Sequence, residues 1–279
     1  MIGIVTDSNA QLPPALTERY GIEVVPLTVT VDGDPFSEGV DLDADEFYAR
    51  FEHGTPTVST SQPSPGAFAE AYARVAQRGA TEILSIHIGS SVSGTLNSAR
   101  IAVAGSPVPV RLVDTRTASF GVACCVWEAA VALERGCSAL EAAVVAENLA
   151  GSIGNVFVVR ALDLVRAGGR LQRGFQANTG PDAIPVLSLI DGEIRAVGEA
   201  RDLQEAAMAM ADFVTLSGES LKVAVGVADR GAMPLWTALE EELAGATEVH
   251  EVIRYRIGPS VGAHTGPGTA GAFFYPAPS

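Results

Sequence analysis

The chain has 279 residues, 47% of them hydrophobic and only 18% charged, with a mean hydropathy of +0.25. That is long enough for two domains of ordinary size and apolar enough that much surface must be buried, against the chain itself or against a ligand. A formal charge of −15, from 33 acidic and 18 basic residues, repels nucleic acid and anionic lipid and excludes both as default partners.

The opening residues Met1-Ile2-Gly3-Ile4-Val5-Thr6-Asp7 read as a strand with no basic leader or apolar signal core, and no run of about 18 apolar residues occurs, so a cytoplasmic protein without integral membrane contact is expected. Apolar runs at 2–5, 24–31, 82–88 and 110–113 alternate with helical patterns, which implies a largely parallel sheet covered on both faces. Asp41-x-Asp43-x-Asp45 superficially copies a calcium loop, but Glu46 stands where that loop needs glycine. A helix capped by Asp43, with Phe47, Tyr48 and Phe51 on one face, explains it better. Ser64-Pro65 marks a second helix start, and Ser138 with Glu141 forms a capping box for a helix running to about Ala150. Cys124, Cys125 and Cys137 lie in an Ala-rich helical stretch without metal-ligand or redox spacing and read as small buried residues.

Gly151-Ser152-Ile153-Gly154 breaks the pattern, dividing the chain into an N-terminal α/β domain, 1–152, and a C-terminal α+β domain, 153–279. In the second part a helix begins near Leu162. Two antiparallel strands, 184–190 and 193–197, are joined at Asp191-Gly192, and a helix (203–216), strand (221–227), helix (234–243) and strand (248–253) follow.

Two hydroxyl clusters stand at helix starts: Thr57-Val-Ser59-Thr60-Ser61-Gln62-Pro63-Ser64, and Ser90-Ser91-Val92-Ser93-Gly94-Thr95 after the strand ending at Ile88. Loops at the carboxyl ends of parallel strands are the usual ligand edge, and hydroxyls beside helix N-termini make an anion site from neutral donors. Capping alone accounts for one such residue per helix, not for five hydroxyls between Thr57 and Ser64. Near the C-terminus, residues 257–271 hold seven Gly or Pro. Gly266-x-Gly268-x-x-Gly271 matches a dinucleotide fingerprint, but no βαβ unit can follow it, and a nucleotide site is rejected. The glycines suggest backbone brought close to something, with His264 as a candidate donor among them. Gly168-Gly169-Arg170 reads either as a glycine C-cap with a cation at the helix end or as an arginine near a ligand mouth. A lipid esterase built from Ser93, His264 and Asp7 is a rival reading, although Ser93 lacks a G-x-S-x-G elbow.

These residues in their order resemble the DegV family. The resemblance rests on Thr6-Asp7-Ser8, Val24-Val-Pro-Leu27, Phe36 with Gly39-Val-Asp41, Glu46-Phe-Tyr48, Thr60-Ser-Gln-Pro63-Ser-Pro65 and Ser93-Gly-Thr95 with Ser98-Ala99. It continues through Val113-Asp114, Ser119-x-Gly121, Leu164 with Gly168-Gly-Arg170, and Ile257-Gly-Pro with Gly262-x-His264-Thr-Gly-Pro-Gly268. Asn9-Ala10-Gln11 and Ile184-Pro185 depart from the family pattern. The resemblance implies two α/β domains, the N-terminal one with a largely parallel sheet and the C-terminal one with a mixed sheet and helices, and a fatty-acid tunnel between them. It implies a lipid carrier that is not itself an enzyme: a long-chain acid such as palmitate or oleate, its carboxylate held by Thr60, Ser61, Ser93, Gly94 and His264 with Arg170 and Thr265 in support, is presented to an ATP-dependent fatty acid kinase subunit. The acyl phosphate so formed feeds phospholipid synthesis. No cofactor or metal is implied, a monomer is expected, and a carrier of another apolar carboxylate is the nearest variant of this reading.

Overall fold

The computed structural model describes residues 1–167, 183–190 and 193–277, the side chains of 166 and 167 excepted. In chain order the elements are β1 (Ile2–Asp7), α1 (Pro14–Tyr20), β2 (Glu23–Val25), β3 (Thr28–Val31), β4 (Asp34–Ser37), α2 (Ala44–Ala49), β5 (Val58–Ser61), α3 (Pro65–Gln77), β6 (Glu82–His87), α4 (Thr95–Ala102), β7 (Val110–Asp114), α5 (Phe120–Glu134) and α6 (Ala139–Ala150). They continue with β8 (Gly154–Val158), α7 (Leu162–Ala167), β9 (Ile184–Ile190), β10 (Glu193–Ala200), α8 (Leu203–Thr215), β11 (Leu221–Val227), α9 (Met233–Ala244), β12 (Val249–Arg256), α10 (Pro259–Thr265) and β13 (Ala270–Pro276). The chain forms two compact units: Met1–Asp41 with Thr60–Gly151, and Leu42–Ser59 with Ser152–Ser279.

The first unit is built on a parallel sheet of order β2-β1-β6-β7. Every residue of β6 from Ile83 to His87 is buried, as a strand covered on both faces must be. Ile83 joins Val5, Phe68, Tyr72 and Val75 in a core against α3, and Ser85 and His87 follow it on that face by the two-residue pleat. The caps form as the sequence predicts: Ser64 accepts from Ala67 N–H at 3.1 Å, and Ser138 and Glu141 complete their capping box. The apolar run 24–31 does not form one strand. Pro26 has no N–H for a ladder, so the chain breaks there into β2, in the parallel sheet, and β3, in a small sheet of order β4-β3-β5.

The second unit has a mixed sheet of order β10-β9-β8-β13-β11-β12, antiparallel except where β11 meets β12. Its core joins Val156, Met210, Val223, Val225, Leu239 and Phe274 under α8 and α9. The turn expected at Asp191-Gly192 lies outside the described residues. The sequence does not foretell β8, α10 or β13: the glycine-rich stretch expected as a loop around His264 is partly helical, and β13 is inserted between β8 and β11, near the middle of the sheet. Asp43 caps α2, accepting from Glu46 N–H at 2.8 Å, Asp41 accepts from Ser37 N–H at 2.5 Å, and Asp45 pairs with Arg256 at 2.6 Å, so the aspartates of the calcium-like run serve a cap, a turn and an ion pair.

Candidate functional site

In the first unit, the loops after β1, β6 and β7 stand at the carboxyl edge of the parallel sheet, the edge where ligands bind in such folds. Residues 88–94 form the loop that carries Ser93. Gly89 N–H donates to Thr117 O at 2.8 Å, and Gly89 O in turn accepts from Val92 N–H at 2.9 Å and Ser93 N–H at 3.1 Å. A Cβ on Gly89 would stand 2.8 Å from the Arg116 backbone, so only glycine fits. The half-buried Ser93 hydroxyl lies 2.9 Å from Thr95 Oγ1 and accepts from Thr95 N–H at 3.3 Å, at the start of α4.

Gln62 is a residue of the first hydroxyl cluster for which the sequence suggests no task. A Cβ on Gly94 would run into the Gln62 side-chain amide, whose Nε2 donates to Ser98 Oγ at 3.2 Å. Gly94 therefore leaves room for Gln62, and Gln62 fixes the end of β5, with half-buried Thr60 and exposed Ser61, beside the Ser93 loop. The signal was a glutamine inside the hydroxyl cluster, able to donate and accept at once. The structure thus brings Ser93, Gly94, Thr60 and Ser61 to one neighbourhood of the first unit.

In the second unit, half-buried His264 lies on α10. Gly262 presses this helix onto α2: a Cβ there would be 2.5 Å from Tyr48 Oη and 2.7 Å from the Phe47 ring. Gly266, at φ +74°, passes Ala161 and Leu164 at 2.6 and 2.8 Å from where its Cβ would be. Gly268, at φ +77°, packs on the Arg160 side chain, and its N–H donates to Asp229 Oδ1 at 2.8 Å. The glycine density thus marks backbone pressed against 160–164 and α2. Thr265 is buried, its hydroxyl donating to Val261 O at 3.2 Å, which is a bond within its own helix. Arg170 lies outside the described residues.

Asp7, the acid of the esterase reading, is already engaged: Oδ2 is 2.9 Å from His87 Nδ1 and accepts from Ile88 N–H at 3.1 Å, and Oδ1 accepts from Asn9 N–H at 3.2 Å. Among the described residues no group of His, Cys, Asp and Glu could hold a metal ion, and no helix is long and apolar enough to cross a membrane.

A unit built on a parallel sheet with hydroxyls in the loops beside it, followed by a unit with a mixed sheet and a glycine-seated histidine helix, defines a two-unit α/β protein. The family described as "Uncharacterised protein, DegV family" matches residues 1–277, and the chain belongs to that family. It is 34% identical over 276 residues to a DegV domain-containing protein of Streptomyces coelicolor, covering 97% of this chain and 96% of the relative. A fatty-acid-binding DegV family protein of Thermus thermophilus superposes with a TM-score of 0.90 at 32% identity, over 99% of each chain. A Thermotoga maritima protein whose structure is described as revealing a fatty acid binding function superposes with a TM-score of 0.87 at 26% identity, over 99% of each chain.

Proposed function

We propose that this protein binds a long-chain fatty acid and presents its carboxylate to an ATP-dependent fatty acid kinase subunit, without itself catalysing the transfer. Thr60, Ser61 and Ser93 supply hydroxyl donors, Gly94 joins them at the start of α4, and His264, Arg170 and Thr265 take supporting roles. The observation that carries the reading is the Ser93 loop, a hydroxyl and two helix starts gathered at the ligand edge of the sheet. The fatty-acid binding described for the Thermus thermophilus protein, similar along 99% of the chain, supports it.

The chemistry suits the residues. Burying a sixteen-carbon tail contributes about 0.8 kcal/mol per methylene, on the order of 10 kcal/mol before association costs. The carboxylate needs partners, because a desolvated unpaired charge costs several kcal/mol. Hydroxyls meet that need without the bidentate grip of an arginine, leaving an oxygen lone pair able to attack the γ-phosphorus of ATP as ADP departs. Native mass spectrometry of the freshly purified protein, then denaturing lipid extraction, tests the binding step. A stoichiometric C14–C20 acid, lost in Ser93→Ala, supports it, whereas an empty protein that takes up neither palmitate nor oleate removes it. Adding kinase and ATP and measuring acyl phosphate tests the presentation step.

A further inference from the structure

Asp7 closes β1 and His87 closes β6, 80 residues apart in sequence, and neither side chain has any exposed surface. His87 Nε2 lies 2.6 Å from Ser85 Oγ, which lies 3.0 Å from Tyr72 Oη. Tyr72, Ser85, His87 and Asp7 thus form one continuous buried chain of hydrogen bonds, whose members polarise one another. Phe68 holds the imidazole edge-to-face at 5.0 Å. The order of groups copies a hydrolytic triad, but Ser85 is fully buried in the strand, out of reach of any substrate.

A carboxylate and an imidazole buried this deeply cost several kcal/mol unless they are fully bonded, and capping a three-residue 3-10 helix at Ser8–Ala10 is small return for that. The larger return lies at Ile88, the first residue of the Ser93 loop. Its N–H is tied to a charge, Asp7 Oδ2, while Thr115 holds the preceding carbonyl of His87 through both N–H, at 3.2 Å, and Oγ1, at 2.8 Å. Gly89 then hands the constraint to Ser93 N–H through its own carbonyl.

We propose that Asp7 and His87 are positioning residues for the carboxylate site: the buried pair fixes Ile88 and thereby where the Ser93 hydroxyl stands. This rests on the carboxylate reading given under Proposed function, and the test separates the two. Delipidated protein is titrated with hexadecanoic acid and with hexadecan-1-ol, and the ratio of the two affinities is taken. That ratio reports the carboxylate site, since general loosening of the fold weakens acid and alcohol together. Ser93→Ala should collapse it. Asp7→Asn and His87→Gln should each lower it about tenfold, the size of one hydrogen bond, with the alcohol affinity kept. Ser138→Ala, which loosens a remote helix cap, should leave it unchanged. A ratio untouched in Asp7→Asn and His87→Gln but lowered in Ser93→Ala overturns the positioning role. A ratio untouched in Ser93→Ala overturns the carboxylate reading itself. Should Asp7→Asn fail to fold, His87→Gln decides by the same criterion.

Discussion

The two units seat their candidate site residues by different physics. In the first, the Ser93 loop hangs on directional hydrogen bonds: Asp7 and the Thr117 carbonyl accept from its N–H groups, and Thr115 donates to the carbonyl that precedes it. In the second, the seven-residue α10 is too short to be stable alone and is held where side chains are missing, with Gly262 against Phe47 and Tyr48 and Gly266 against Ala161 and Leu164. A hydrogen-bonded seat fails when a partner is removed, and a steric seat fails when volume changes.

The largest effect expected is on the steric seat. Phe47 has no exposed surface and packs edge-on against both Tyr48 and Phe51. Phe47→Ala should cost about 3–5 kcal/mol, as buried Phe truncations do, and lower the melting temperature by roughly 10 °C. Calorimetry reads this directly. A loss below about 1 kcal/mol would mean that α10 does not depend on α2.

In the first unit the matching experiment adds volume to a hydrogen-bonded loop. In Gly89→Ala the new methyl meets the Cα and carbonyl carbon of Arg116 at 2.8 Å and Thr117 N at 3.0 Å, all backbone atoms that cannot rotate away. About 2–3 kcal/mol of destabilisation is expected from overpacking, together with weaker fatty-acid binding, because the Gly89 carbonyl that holds Val92 and Ser93 is displaced. Denaturant unfolding and a binding titration check the two halves of that statement. A change in stability with unaltered affinity would break the link between loop anchoring and site.

Much of this contrast was legible in the sequence, and what was not has a physical reason. Caps at Ser64, Ser138 and Asp43 were read correctly because their bonds close within three residues. The Ser93 and Thr60 clusters were read as a ligand edge from hydroxyl density; in the structure Ser93 follows β6 of the parallel sheet, whereas Thr60 and Ser61 end β5 of the small sheet, next to Gln62, which bonds to Ser98. β13 was not seen, because Ala270–Pro276 is short, glycine-containing and paired with β8 and β11, far away in sequence. The Asp7–His87 pair spans 80 residues, beyond any local pattern. A trace of it was visible: Ser85 and His87 are polar at alternate positions of an otherwise apolar strand, which puts both on one face with no water to satisfy them.

A smaller effect should appear in alkali, and it probes the far end of the polar network. Burial pushes the Tyr72 hydroxyl up to about 12, against an ordinary value of 10, partly offset by the bond to Ser85. Because the folded protein holds the proton more tightly than the unfolded chain, the contribution of Tyr72 is complete below pH 10 and disappears as pH rises towards 12. It amounts to on the order of 2 kcal/mol. Unfolding of Tyr72→Phe across that range should be flatter with pH than the wild type. Parallel curves would mean that the tyrosine does not ionise with unfolding.

The smallest effect calibrates the others, because it touches neither seat. Ser138 Oγ accepts from Glu141 N–H at 3.3 Å, and Glu141 Oε2 accepts from Ser138 N–H at 2.8 Å and from its hydroxyl at 2.7 Å. Ser138→Ala removes both bonds made by the hydroxyl and leaves the backbone bond to Glu141, so about 1 kcal/mol should be lost. The backbone N–H of Ser138, followed by its hydroxyl, holds the Glu141 carboxyl below the ordinary glutamate value. The charged form is therefore the bonded one, and its contribution is present above the ordinary range and fades as pH falls through the lowered value. The gap between wild type and Ser138→Ala in denaturant midpoints should accordingly narrow in acid. A gap that stays constant to pH 3 would show that the serine acts only through Glu141 N–H, as a one-sided cap rather than a box.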